Sequence, residues 1–361
     1  MDIYAASLPG CPRLGAKHMR ELITFFETPE DVWNASEDAI HQAHILPPKT
    51  ASAFLAYRRD TDPHQIANQL YEKNIRCCTW EEEAYPPLLS TTANPPAILF
   101  YRGAIPDWER TIAIVGSRKA TAYGLQTARQ MAKGLTAASA VVVSGGARGI
   151  DSAAHGGALE AQGPTVVVLA CGLDRVYPPE NRNLFQQVID VGGTLLSEYP
   201  PGTPPLGRQF PARNRIIAGM SRGTLVVEAA ERSGSLITAD FALEEGRDVL
   251  AIPGSIYLAS CKGTNQLIRH GAICCTSVDD ILTEYGWNKE ETASPASHFR
   301  PPLTLEEEML YRYCCQENEV TSEEILQQSG LTVVKLTMLL LQLQLKGYIQ
   351  EVGSGRFILK D

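Results

Sequence analysis

The chain has 361 residues, enough for two or three domains, and its 44% hydrophobic and 20% charged content is that of an ordinary globular protein. No run of about 20 apolar residues offers a bilayer span, and residues 1–10 lack the basic-then-apolar pattern of a secretory signal, so a cytoplasmic location with no membrane partner is expected. A formal net charge of -9 argues against a nucleic-acid partner for the molecule as a whole, but a cleft can focus a local field of the opposite sign.

Residues 1–75 read as a small helical domain, with segments expected at 16–26, 51–58 and 63–74. The turn Pro9-Gly10-Cys11-Pro12 partly matches a helix-hairpin-helix, whose hairpin amides can hold a phosphate. It lacks the Gly-x-Gly form, so a packing or protein-contact role stays open. Residues 76–110, with Pro86-Pro87, Pro95-Pro96 and Pro106, read as a connector packed on the next domain. Ile98-Leu99-Phe100-Tyr101 is expected as an edge strand, because prolines precede it.

From 111 to 286 buried strands alternate with helices. Strands are expected at 111–115, 140–144, 164–169, 193–197, 223–228 and 248–251, and helices at 122–135, 149–161, 181–191, 213–220 and 235–245. The strands are continuously apolar, as when helices cover both sheet faces. The fold class is therefore α/β, an extended Rossmann-like, doubly wound and mostly parallel sheet. Residues 287–301 read as a linker. Residues 302–361 give three helices and a hairpin turning at Gly353-Ser354-Gly355, the plan of a winged helix. Its third helix brings only Lys335 and Lys346, little for a groove-reading helix, so a protein-contact or regulatory role competes with DNA reading.

Two strand ends carry the chemistry. Val115-Gly116-Ser117-Arg118-Lys119 and Val143-Ser144-Gly145-Gly146-Ala147-Arg148-Gly149 each pass from a buried strand into a small, polar, cationic loop. Such loops present amides, hydroxyls and guanidinium forks to an anion at the carboxyl edge of a sheet. Thr121 is placed to cap the following helix. Neither loop is G-x-x-x-x-G-K-[ST] or G-x-G-x-x-G, which disfavours a nucleoside-triphosphate motor and a nicotinamide dehydrogenase. Between Glu198 and Glu228 the chain has no acid but carries Arg208, Arg213, Arg215 and Arg222. Phe210-Pro211-Ala212-Arg213-Asn214-Arg215 sets a ring beside two cations, which suits sequence-tolerant binding of single strands. Asp151 and His155, four apart on one helix, are an acid–base pair or else a capping aspartate and a packed histidine. Glu228 is a catalytic carboxylate or a lone acid balancing arginines. The nine cysteines, six in adjacent pairs, read as reduced and mostly buried, and no metal-ligand spacing or cofactor motif is found.

These runs resemble the DNA-processing protein A family, also called Smf. The likeness lies in Val115-Gly116-Ser117-Arg118 with Thr121, in Ser144 to Asp151 with Ala154-His155, and in Gly172-Leu173-Asp174 with Tyr177-Pro178. It continues in Phe210 to Gly219, Ser233-Gly234-Ser235 and Lys262-Gly263-Thr264-Asn265, covering roughly residues 85–280. The resemblance implies a non-enzymatic protein that binds single-stranded DNA. It would help load the RecA recombinase in natural transformation, beside single-strand-binding protein, as a homodimer formed through the α/β domain. The DNA contacts expected here are Gly116, Ser117, Arg118, Ser144, Gly145, Arg175, Arg208, Phe210, Arg213, Asn214, Arg215, Lys262 and Asn265. An alternative on the same scaffold is a nucleotide-cleaving phosphoribohydrolase. The chain lacks that group's run of three glycines and paired glutamate.

Overall fold

The structure, a computed structural model, describes residues 1–287, 303–314, 320–329, 331–346, 348–353 and 356–359. The chain divides into two compact units, Met1–Lys289 and Glu290–Asp361. Apart from Trp287, the expected linker at 287–301 lies outside the described residues.

In the first unit six helices, Ile3–Ser7, Ala16–Phe26, Pro29–Asn34, Glu37–Gln42, Pro48–Asp60 and Pro63–Glu72, form the amino-terminal region. Polar side chains start them. Asp2, Thr28, Ser36 and Asp62 accept hydrogen bonds from first-turn amides. The Pro9-Gly10 turn packs inward, with Tyr57 Oη donating to the Ser7 carbonyl at 2.9 Å beside Gly10. Leu22, Val32, Phe54 and Leu70 form one apolar cluster with Cys77, Phe100 and Leu195, so these helices share a core with the edge of the sheet.

Nine strands make that sheet: β1 (Arg76–Thr79), β2 (Ile98–Gly103), β3 (Thr111–Val115), β4 (Val141–Ser144), β5 (Thr165–Leu169), β6 (Thr194–Ser197), β7 (Gly223–Val226), β8 (Asp248–Ala251) and β9 (Ile273–Cys274). Their order is β1-β2-β6-β5-β4-β3-β7-β8-β9. All pairings from β6 through to β9 are parallel, while β1–β2 and β2–β6 are antiparallel. Alternate residues of β3 explain the continuous apolar runs. Ile112 and Ile114 pack on helices Ala122–Ala137 and Ile150–Glu160, whereas Ala113 and Val115 join the opposite layer with Ile216 and Ala239.

One strand corrects the sequence reading. β2 is not an edge strand, because β1 pairs with one side of it and β6 with the other. The prolines lie before the ladder begins, so they remove no bond from it. β1 went unforeseen because its Cys77-Cys78 reads as buried filler, and β9 is only two residues long.

In the second unit helices Leu305–Cys314, Ser322–Ser329 and Val333–Leu345 accompany three antiparallel strands. These are β10 (Val320–Thr321), β11 (Ile349–Gly353) and β12 (Arg356–Leu359), in the order β10-β12-β11. The expected hairpin is β11–β12, with Ile349 opposite Leu359, and the short β10 adds a third strand. Leu310, Ile325, Leu336, Leu340 and Phe357 form its core.

Candidate functional site

The connections reverse direction between β3 and β7, the kind of switch point outside which doubly wound sheets bind ligands. A cavity of about 270 Å³ lies on the β3 side of that point, across the carboxyl ends of β3, β4 and β5. Arg118, Lys119, Cys171, Tyr177, Phe210 and Arg213 are among its walls.

Its floor is Arg213, only 4% exposed. The run 208–215 is not a loop: helix Gln209–Gly219 starts at its second residue and carries Phe210 and Arg213 together. Arg213 Nη1 donates to the Gly145 carbonyl at 2.6 Å and to the Val168 carbonyl, tying the ends of β4 and β5. Its Nε donates to Asn214 Oδ1 at 3.2 Å. Gly145 is needed here because a Cβ would lie 2.6 Å from Arg213 Nη2. Burial pushes the guanidinium down to about 10, which still leaves it charged near neutrality. Its hydrogen-bond partners are carbonyls, so its positive charge is not cancelled by a carboxylate bonded to it.

Arg118 is exposed and held by a ring. Its Cζ sits 5.3 Å from the Phe210 ring centroid, and Phe210 in turn lies 5.5 Å from the Tyr177 centroid. Lys119 is exposed beside it. Arg208 precedes helix Gln209–Gly219 at its N-cap position, makes no side-chain cap, and is exposed. A cation at a helix N-terminus opposes the helix dipole, and the two together attract an anion.

The loops bearing these groups are braced from behind. Thr121 caps helix Ala122–Ala137 through Gly124 N at 3.1 Å, and its hydroxyl donates to Glu228 Oε2 at 2.5 Å. Glu228, 2% exposed, also accepts from Thr121 N, and its carbonyl accepts from Ser117 N at 2.7 Å. Gly149, with φ of 80°, lets the β4 loop touch the β3 loop, since a Cβ would meet the Ser117 carbonyl at 2.2 Å. Asn181 Nδ2 donates to the Gly146 carbonyl and to Ser152 Oγ, both at 2.8 Å, and so pins the loop bearing Tyr177.

Asp151 and His155 face the interior. Asp151 accepts from Ala147 N at 3.2 Å, and burial raises its carboxyl above the usual carboxylate range. His155 is fully buried. Thr165 Oγ1 donates to the Val142 carbonyl and accepts from His155 Nδ1 at 2.8 Å, and burial lowers the imidazole to about 3. The pair is a buried aspartate that holds the Ala147 amide of the β4 loop, without capping its helix, and a packed neutral histidine. Cys171 lines the cavity as a neutral thiol, pushed up to about 11 by burial.

The structure thus brings Arg118, Gly145, Phe210 and Arg213 together, with Gly116 and Ser117 leading the β3 loop up to Arg118. Several other expected contacts are turned elsewhere. Ser144 is fully buried, its hydroxyl donating to the Ile114 carbonyl at 2.6 Å, because it still belongs to the sheet. Arg215 gives Nη2 to both Glu198 oxygens at 2.6 Å and Nη1 to the Asn94 carbonyl at 2.7 Å. Asn214 orients Arg213 and reaches the Gly234 carbonyl at 3.4 Å. Asn265 pairs both amide atoms with Gly254. Arg175 is exposed, with Nε on the Gly202 carbonyl at 3.1 Å, and Lys262 is exposed at the first residue of helix Lys262–Arg269. Arg222 precedes β7, at the opposite end of the strands. Sequence reasoning missed Lys119 and Tyr177 as wall residues. Lys119 adjoins Arg118, but nothing local in the sequence points the Tyr177 ring at Phe210.

Fold and site together define a Rossmann-like α/β protein with a cation-and-ring pocket at the carboxyl edge of its sheet. The chain belongs to the DNA recombination-mediator protein A family, whose model matches residues 76–286. It is 36% identical over 313 residues to Protein Smf of Escherichia coli, covering 85% of this chain and 83% of that one. It is 46% identical over 205 residues to the DNA processing protein DprA of Streptococcus pneumoniae, covering 56% and 72%. The solved structure of that pneumococcal protein superposes with a TM-score of 0.69 at 35% identity, covering 79% of this chain and 98% of the other. DNA processing protein A from Helicobacter pylori, solved for its single-stranded DNA binding mode, gives a TM-score of 0.52 at 28% identity, covering 58% and 95%.

Proposed function

We propose that this chain binds single-stranded DNA in the pocket at the carboxyl ends of β3, β4 and β5, without catalytic turnover. It then helps load RecA recombinase onto the strand in transformation and recombination. The observation that carries the reading is the array Tyr177–Phe210–Arg118 above the buried Arg213. Rings and guanidinium planes stack on bases of any sequence, and the cations answer the phosphates. Bases in a duplex keep their faces stacked and covered, so this surface suits a single strand. The Helicobacter relative, described for its single-stranded DNA binding mode, supports the same assignment.

RecA, single-strand-binding protein and a second copy of the chain are partners proposed from the family, as are a cytoplasmic setting and a winged-helix role for the second unit. Among the described residues no helix is long and apolar enough to cross a membrane. The phosphoribohydrolase alternative has less support, because Asp151 and Glu228 are engaged in bracing the loops and His155 is buried against Thr165 at the start of β5.

The test is a titration of labelled single- and double-stranded oligonucleotides at two salt concentrations, with wild type and Arg118→Ala. Wild type should prefer the single strand and weaken with salt. Arg118→Ala should lose about ten- to a hundredfold in affinity, with an unchanged melting temperature. Wild-type affinity in the variant would overturn the reading.

A further inference from the structure

We infer that Asp174, which does not itself line the cavity, is a positioning residue that holds two parts of the cavity wall in register for the DNA strand; this rests on the reading above. Tyr177 and Pro178 reach the wall from the connection after β5, and Pro205 reaches it from the connection between β6 and helix Gln209–Gly219.

The segment that ends at Pro205 has little means of holding itself. It reads Pro200-Pro201-Gly202-Thr203-Pro204-Pro205, and its four prolines leave backbone N–H groups only at Gly202 and Thr203. The Thr203 N–H stays inside the segment, on the Pro200 carbonyl at 3.2 Å. The Gly202 N–H reaches out, and Asp174 Oδ1 accepts it at 2.8 Å. Among the described residues, the other hydrogen bonds that leave this segment end on the same turn, residues 172–175. Arg175 Nε donates to the Gly202 carbonyl at 3.1 Å, and Gly172 N donates to the Thr203 carbonyl at 3.0 Å.

The turn is the fixed partner of the two. Leu173, 4% exposed, belongs to the apolar cluster shared with the amino-terminal helices. Lys73, just past helix Pro63–Glu72, meets Asp174 Oδ2 at 3.2 Å, so each carboxylate oxygen has its own partner. Gly172 permits the close approach, since a Cβ there would lie 2.7 Å from the Pro200 carbonyl oxygen and 2.8 Å from Asp174 Oδ1. Burial pushes the Asp174 carboxyl up, but the Gly202 amide and Lys73 outweigh it and hold the group below the usual carboxylate range. It is therefore ionised near neutrality, and a hydrogen bond to an ionised acceptor is the stronger kind.

Tyr177 follows Asp174 by three residues, and Pro205 follows Gly202 by three. The Asp174–Gly202 bond thus ties together the two chain segments that carry these wall residues. A wall in place for only a fraction of the time lowers the apparent affinity by that fraction. Charge alone predicts the opposite sign. Losing Asp174 removes an acid and frees Lys73, which by itself would tighten DNA binding.

The experiment measures oligothymidine affinity and its salt slope on the full chain carrying Asp174→Ala and, separately, Asp174→Asn, with hydrogen exchange followed at the Gly202 amide. Both variants remove the same charge, but asparagine keeps an oxygen for that amide. Asp174→Ala should lose about three- to tenfold in affinity. Its slope should stay unchanged, because no phosphate contact is removed, and Gly202 should exchange faster. Asp174→Asn should bring affinity and exchange back to within about twofold of wild type.

Tighter binding in both variants, or equal loss in both, overturns the inference. So does wild-type affinity in Asp174→Ala with fast exchange at Gly202, which would make the bond structural only. If Asp174→Ala melts early, Asp174→Ser, too short to reach the Gly202 amide, supplies the same comparison. Arg118→Ala run in parallel keeps the two readings apart. A loss there upholds the pocket whatever Asp174 does, and wild-type binding there would sink the pocket reading and the inference with it.

Discussion

Two cations of the central pocket, Arg118 and Arg213, are held in the opposite way to those of the carboxyl-terminal helix Val333–Leu345, whereas a third pocket cation, Arg148, is paired with Glu180. In the pocket Arg213 is bonded to carbonyls and Arg118 rests on a ring. In the second unit Lys335 meets Glu306 at 2.5 Å, and Lys346, just past the helix, meets the buried Glu307 at 2.6 Å. Carbonyls and rings fix a cation in place and leave its charge to act outward. A carboxylate fixes it and cancels it. The helix that a winged-helix plan assigns to DNA instead exposes Val333, Val334, Met338 and Leu341, an apolar face rather than a phosphate-seeking one. Having a basic residue in a suitable element is therefore not enough; what matters is the group that holds it.

The largest expected effect comes from disturbing how Arg213 is held. Gly145→Ala drives a methyl into its guanidinium. We expect at least tenfold weaker single-strand binding, with about 1–3 kcal/mol lost to overpacking, read by urea unfolding. Full affinity in this variant would mean that Arg213's placement does not matter.

A smaller effect concerns the packed groups beneath the loops. His155 is neutral in the folded protein down to about pH 3 but takes a proton near pH 6.5 when unfolded. The unfolded state then binds more protons, so this stability is complete above pH 6.5 and is lost as pH falls from there toward 3. The slope from this group is about 1.4 kcal/mol per pH unit. Asp151 acts in the opposite sense. Its folded-state pKa is raised by burial, so the folded protein holds the extra proton as pH rises above the usual carboxylate range, and this contribution falls with rising pH. The two are separated by comparing wild type with His155→Gln in urea between pH 5 and 7. The variant should lose the acid-side slope, and an identical slope would show that His155 is not what titrates.

The smallest effect sharpens the contrast directly. Lys335→Ala combined with Lys346→Ala should change single-strand affinity by less than about twofold, because Glu306 and Glu307 already neutralise the two lysines. A loss as large as that of Arg118→Ala would make the second unit a DNA contact and remove the distinction between the regions.

The sequence by itself determined strands β3 to β8 of the central sheet, because continuous apolar runs separated by amphipathic segments admit little else, whereas β1, the inner place of β2 and the short β9 came only from the fold. It also placed the strand-end loops at Gly116 and Gly145, and Phe210 beside Arg213, since chain order fixes which strand ends lie at the carboxyl edge. It could not decide which of the basic residues are available to a ligand. Arg213, Arg215 and Arg222 fall within ten residues of one another, yet one floors the pocket, one is closed by Glu198, and one lies at the far end of the strands. Ser144 looked like a loop hydroxyl and proved to be the buried last residue of β4. Those outcomes depend on partners distant in the chain, such as Val168 for Arg213 and Ile114 for Ser144. Local composition fixes the strand and helix periods, whereas the free charge at a site depends on contacts that only the tertiary fold creates.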